Sequence, residues 1–155
     1  MASYDYDSKD WILDSGTSKH MCGDKSLFRS IKRFPEPQVV KLADSSTILA
    51  YGKGLVELQS GAGYKLSLSE TWYVPELYQV RLLSIVSLND DGIQVIFKPG
   101  RTVEASKAGR VIFTGSMQSG LVCLDLRSAL RTTAYAATDL TDLTDVRKSG
   151  SASVN

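Results

Sequence analysis

Over most of the chain, apolar residues recur at every second position in short segments separated by Gly, Pro, Asp or Ser, the pattern of β-strands. The first segment, Trp11-Ile12-Leu13, stops abruptly at Asp14-Ser15-Gly16, which reads as a buried strand followed by a turn. Val39-Val40-Lys41-Leu42 and Thr47-Ile48-Leu49-Ala50-Tyr51 flank the polar Ala43-Asp44-Ser45-Ser46. That arrangement predicts a hairpin with its tip near Asp44 to Ser46. Gly52-Lys53-Gly54 allows a bend or bulge before Leu55-Val56-Glu57-Leu58, and Gly61-Ala62-Gly63 turns the chain into Tyr64 to Leu68, a second antiparallel pair. Thr71-Trp72-Tyr73-Val74 ends at Pro75, which has no amide to give a ladder. From Val80 to Asn89 the spacing predicts a buried strand and then a short helix, ending at Asn89-Asp90-Asp91-Gly92. Ile93 to Phe97, Arg110 to Phe113 and Leu121 to Leu126 complete the pattern. More than eight strands and one short helix are expected.

After Arg127 the pattern fades into Ser, Thr, Ala, Asp and Arg, too sparse in apolar residues to build a core face. Three parts are therefore expected: a flexible segment over 1–10, one folded domain over 11–126, and a polar linker or disordered tail over 127–155. Within the tail, Thr138 to Asp145 repeats Thr-Asp-Leu and reads as solvated linker. With 155 residues, 43% of them apolar, the chain has enough length for one core. Eighteen Lys and Arg against seventeen Asp and Glu leave a net charge of +1, so no overall field favours nucleic acid or an acidic membrane surface. No run reaches the roughly 18 apolar residues of a membrane span, nor does the polar opening suit a secretory signal; a soluble cytoplasmic protein is expected.

Candidate chemistry is scarce. One histidine, His20, and two cysteines, Cys22 and Cys123, are too few for a structural zinc site or a disulfide framework. No metal or other cofactor is expected. Neither Asp14-Ser15-Gly16-Thr17-Ser18 nor Gly115 to Gly120 supplies the Gly-x-Ser-x-Gly of a nucleophile elbow. His20 and Cys22 would share a strand face, but they read as an ordinary histidine and a buried thiol. Asp14 differs from these, because a carboxylate at the end of an apolar strand enters a poorly solvated turn and needs compensation. Ser15, Gly16, Thr17 and Ser18 can offer it through hydroxyl and backbone groups.

The run Trp11-Ile12-Leu13-Asp14-Ser15-Gly16-Thr17-Ser18-Lys19-His20-Met21 resembles the W-x-L-D-S-G-A-S-x-H-M signature of Ty1/copia-type retrotransposon proteases. Further blocks follow in the family's order. Val40 to Ser46 resembles V-x-L-A-D-G-S, and Gly52-Lys53-Gly54 resembles G-x-G. Trp72 to Leu77 is similar to L-Y-V-P-x-L, and Leu82 to Leu88 to the N-L-L-S-V-x-x-L block. Together the blocks cover about residues 11–126.

The resemblance implies an all-β subunit with one short helix, a retropepsin-like closed barrel that homodimerises. Each subunit would lend one Asp14 to a shared aspartic endopeptidase site, processing a Gag-Pol polyprotein in the cytoplasm or in virus-like particles. Ser15, Gly16 and Thr17 would support the catalytic loop and line the cleft, with Ser15 bonding across the dimer axis. Leu42, Ala43, Asp44, Ser45 and Ser46 would form the tip of a substrate-binding flap, and Leu82, Leu83 and Ser84 would support the loop from beneath. The partners implied are a second copy and a peptide substrate.

Two departures qualify the comparison. Many retroviral relatives follow the paired apolar residues with Gly and then an Arg that pairs with an Asp beyond the catalytic triplet. This chain has Ser84, Ile85 and, on the other side, Ser18. With both ends of the ion pair missing no charge is orphaned, but dimer rigidity must come from elsewhere, which predicts concentration-dependent activity. Two other readings compete: a catalytically silent dimerisation or peptide-binding module, host-domesticated, and a generic β-sandwich interaction domain, which leaves the ordered blocks unexplained.

Overall fold

The computed structural model describes residues 10–129. Eleven strands, one α-helix and two single 3₁₀ turns make up these residues. Residues 1–9 and 130–155, including the Thr138 to Asp145 repeat, lie outside them.

The strands are β1 (Trp11–Asp14), β2 (Met21–Cys22), β3 (Phe28–Lys41), β4 (Thr47–Ser60), β5 (Lys65–Tyr73) and β6 (Arg81–Ser84), followed by helix α1 (Ile85–Asp90). Then come β7 (Ile93–Lys98), β8 (Thr102–Lys107), β9 (Arg110–Gln118), β10 (Leu121–Leu124) and β11 (Leu126–Ser128). Their hydrogen-bonded order is β11-β4-β5-β2-β6-β1-β10-β9-β8-β7, with β3 also on β4. No ladder joins the ends of this path among the described residues. Nor, among them, is any helix long and apolar enough to cross a membrane.

Strand β1 lies inside the sheet, parallel to β6 and antiparallel to β10. Trp11, Ile12 and Leu13 are all buried, which is why this segment is apolar throughout instead of alternating. Trp11 and Leu13 enter the main core with Phe28, Val56, Leu58, Leu83, Leu88 and Ile112. A second, smaller cluster of Met21, Val40, Ala50 and Val74 is joined by Leu42, Ile48, Trp72 and Leu82.

The expected hairpin is present, and its arms are longer than the local pattern suggests. Strand β3 starts at Phe28, and its register against β4 jumps between Arg33↔Gly52 and Gln38↔Ala50. The extra residues hold Pro35 and Pro37; with no amide to donate, proline is tolerated in such a bulge and not in a regular ladder. Gly52 and Gly54 serve close approach, since β4 runs unbroken through them. A Cβ at Gly54 would stand 1.8 Å from the Ser30 carbonyl oxygen. In β5 the buried positions step from Leu66 and Leu68 to Thr71 and Tyr73, a change of phase absorbed by a bulge opposite Gly54 to Val56.

Strand β6 passes directly into α1 as the spacing predicts, with the Ser84 side chain capping the helix at the Ser87 amide. Strand β8 was not among the expected segments. At the C-terminal end, Leu126, Arg127 and Ser128 pair with Ser60, Gln59 and Leu58, and the Ala129 amide donates to the Glu57 carbonyl at 2.9 Å. The sheet therefore continues beyond the expected boundary at 126, because Leu126 is fully buried and anchors a final strand.

Candidate active site

Asp14 ends β1, in register with Ser84 of β6. It is the first residue of the strand to emerge from the core and is half-buried. Its Oδ1 accepts the Gly16 N–H at 2.6 Å. A charge-assisted bond of this kind compensates a carboxylate leaving an apolar strand, and it orients the group. The glycine suits the position, since a Cβ there would lie 3.2 Å from the same oxygen. Ser15 and Gly16 are exposed, and Thr17 is half-buried.

Hydroxyl groups hold the rest of the loop. Thr17 Oγ1 donates to the Lys19 carbonyl at 2.9 Å. Ser84 Oγ, on a fully buried side chain, donates to the Thr17 carbonyl at 2.7 Å and accepts the Ser87 amide at 3.1 Å. Ser87 Oγ donates to the Ser18 carbonyl at 2.9 Å. Two serine hydroxyls on backbone carbonyls thus brace the residues that follow Gly16. Leu82 and Leu83 pair with Ile12 and Leu13 and so sit beside the strand that carries the loop, with Leu83 fully buried.

His20 and Ser87 belong to the same bracing, and sequence reading gave neither a role. The Ser84 N–H donates to His20 Nδ1 at 3.0 Å, so the ring is neutral with its proton on Nε2. The Trp72 amide donates to the His20 carbonyl at 2.8 Å. Burial lowers the imidazole pKa from 6.5 to about 4, against the Asp91 charge, which raises it. The only hint in the sequence was His20's place in the signature. Cys22, by contrast, lies against the Asp24 backbone, 3.5 Å from its carbonyl oxygen and 3.4 Å from its nitrogen. Burial pushes its thiol up to about 12. It is the inert buried thiol expected, not half of a Cys-His pair.

The residues expected at the flap occupy the β3–β4 turn. The Leu42 amide donates to the Ser46 carbonyl at 2.8 Å, and the Ser45 amide to the Leu42 carbonyl at 3.0 Å. Ser45 takes a φ of 72°. Asp44 Oδ1 accepts both the Ser46 amide at 2.9 Å and the Ser46 hydroxyl at 2.5 Å. These bonds hold the Asp44 carboxyl below its usual value. Ala43 is exposed, whereas Leu42 is half-buried and packs against the cluster that contains Met21 and Leu82. One apolar cluster thus connects the β3–β4 turn with β2 and β6 beside the Asp14 loop. No group of three or more His, Cys, Asp or Glu arranged to hold a metal occurs among the described residues.

Chemically, the Asp14 loop offers one oriented carboxylate at a turn braced by neutral hydrogen bonds. A single carboxylate can take or give a proton; combined acid and base action on a peptide bond requires a second such group.

The Pol polyprotein, beta-barrel domain family matches residues 11–93, which include the Asp14 loop, the hairpin, β6 and α1. The putative transposon Ty5-1 protein of Saccharomyces cerevisiae is 35% identical over 78 residues, 50% of this chain and 49% of that protein. The retrovirus-related Pol polyprotein from transposon RE1 of Arabidopsis thaliana is 33% identical over 95 residues, 61% of this chain and 6% of that protein. The chain thus spans about half the length of the first relative and a small part of the second. No solved structure matches it. With more than half its length matched, and relatives named for transposons, this chain belongs to the β-barrel domain family of retrotransposon Pol polyproteins.

Proposed function

We propose that this domain is the aspartic endopeptidase of a Ty1/copia-type retrotransposon, active as a homodimer on peptide bonds of its Gag-Pol polyprotein. The observation that carries the reading is the Asp14 carboxylate at the end of an internal strand, with Oδ1 held by the Gly16 amide at 2.6 Å. Two such carboxylates facing each other a few Å apart could not both ionise, so the pair would share one proton. One Asp14 then takes a proton from a water between them while the other protonates the scissile carbonyl, and the roles exchange as the amine leaves. The dyad, rather than either residue, owns the titration. The hairpin tip, Leu42 to Ser46, closes over an extended peptide and excludes water from the reaction.

The test is cleavage of a peptide spanning a candidate polyprotein junction, followed against protein concentration alongside sedimentation. Wild type should cleave with a rate per subunit that rises as dimer forms. Asp14→Asn, which keeps an acceptor for the Gly16 amide, should dimerise and fold but not cleave. Equal cleavage by the two proteins defeats the reading, as does cleavage by a strict monomer. Dimerisation without cleavage by wild type would favour the catalytically silent module.

A further inference from the structure

The catalytic loop is held by a circuit of hydrogen bonds, and one member of that circuit can be switched off by a proton. Ser84 stands at the centre. Its hydroxyl grips the Thr17 carbonyl, its amide is received by His20 Nδ1, and its oxygen caps α1 at Ser87. Ser87 in turn grips Ser18. The bonds from Ser84 and Ser87 fix the two residues immediately after Gly16, whose amide orients Asp14. Carbonyls and hydroxyls in the circuit keep their hydrogen-bonding character at any ordinary pH. Only His20 can lose its acceptor, because a protonated imidazole carries hydrogen on both nitrogens.

The setting of the ring supports a functional reading of this bond. His20 is 3% exposed, and its Nε2 has no hydrogen-bond partner among the described residues. It borders a cavity of about 190 Å³ whose charged walls are Lys19 of its own loop, Glu70 of β5, and Asp90 and Asp91 at the end of α1. The Asp91 charge favours a proton on the ring, whereas burial, the larger effect, opposes it. The outcome of that competition decides whether the Ser84 amide has an acceptor.

We propose that His20 is a positioning residue for the Asp14 loop: neutral, it receives the Ser84 amide and keeps the serine clamp on Thr17 and Ser18 closed; protonated, it releases them. The proposal rests on the protease reading for its catalytic consequence, but not for its geometry. His20 touches no substrate in this scheme and acts through Ser84. Because a small displacement of a catalytic loop can lower turnover about 100-fold, the effect should appear in kcat more than in KM.

The test combines spectra with kinetics on the full chain. Imidazole ¹⁵N shifts should show Nδ1 bare and Nε2 protonated at neutral pH, and the Ser84, Thr17 and Ser18 amide resonances should move with the His20 titration. In His20→Asn, whose side-chain oxygen can accept the Ser84 amide without titrating, the three amides should hold their positions through that range, with kcat within a few-fold of wild type. His20→Leu removes the acceptor and should lower kcat about tenfold or more with KM little changed. If it fails to fold, Ser87→Ala, which opens the clamp at Ser18 without touching the ring, should lower kcat in the same direction. A ring protonated on Nδ1 at neutral pH, or Ser84, Thr17 and Ser18 amides indifferent to the His20 titration, overturns the proposal. So does full kcat in both His20→Leu and Ser87→Ala. Absence of cleavage by wild type, with spectra as expected, defeats the protease reading instead and leaves the clamp as a structural device.

Discussion

Replacing Gly54 by alanine probes how closely the β3–β4 hairpin is packed. The added Cβ would stand 1.8 Å from the Ser30 carbonyl oxygen, 2.8 Å from Ser30 C and 3.0 Å from Ile31 Cα. All three are backbone atoms, so no side chain can swing aside. Restoring a 3.0 Å separation from an initial 1.8 Å moves β3 away from β4 by about 1.2 Å. A normal N–H···O bond of about 2.9 Å does not survive that stretch. Two lost ladder bonds at about 1 kcal/mol each, together with about 1–3 kcal/mol for displaced backbone, give a destabilisation of about 3–5 kcal/mol. Gly63→Ala is the matched control: nothing lies near its Cβ, and only its φ of +91° is unfavourable, costing about 1–2 kcal/mol. Urea unfolding followed by tryptophan fluorescence can separate the two, since Trp11 is fully buried and should report global unfolding. With a slope of about 2 kcal/mol/M, the midpoint should fall by about 2 M for Gly54→Ala and by less than about 1 M for Gly63→Ala. An equal or smaller shift for Gly54→Ala would refute the close approach of β3 and β4.

The remaining expectations concern the core and the buried ionisable groups. Leu83→Ala, at a fully buried position beside β1, should cost about 2–5 kcal/mol in the same assay, and a cost under about 1 kcal/mol would mean that the site is not packed as described. His20 titrates at about 4 in the fold against 6.5 when free, so the unfolded chain takes its proton first and stability falls as the pH drops through that interval. The loss from this group is about 3 kcal/mol at 1.36 kcal/mol per pH unit; His20→Asn should escape it, and parallel decline of variant and wild type between about pH 6.5 and about pH 4 would contradict the burial argument. Cys22, its thiol pushed up to about 12, should react with a thiol reagent at about pH 8 only as fast as the protein unfolds. Immediate labelling of the native protein at Cys22 would show the opposite.

Much of the architecture was legible because its determinants are local. The change from alternation to the unbroken run Trp11-Ile12-Leu13 marked an internal strand ending at Asp14, and that strand is β1. The polar tip between two apolar arms marked the β3–β4 turn, and the spacing over Val80 to Asn89 separated β6 from α1. The lower half of β3 was hidden because Pro35 and Pro37 interrupt the pattern, while the ladder tolerates them at a bulge. In β8 the alternating buried residues are Val103 and Ala105, and an alanine adds little to a hydrophobic period. For the final strand, a single buried Leu126 beyond Asp125 sufficed.

By itself, then, the sequence determined which segments extend, where they turn, and which carboxylate stands at the end of an apolar strand. Those features depend on residues one to four positions apart, through the two-residue strand period and the dihedral preferences of Gly, Pro, Asp and Ser. Only the tertiary structure decided that β1 would lie between β6 and β10, and that His20 would receive an amide from Ser84, 64 residues away. A hydrogen bond of that kind has no period and no composition. It exists because two buried groups, brought together by strand pairing, had no water left to satisfy them.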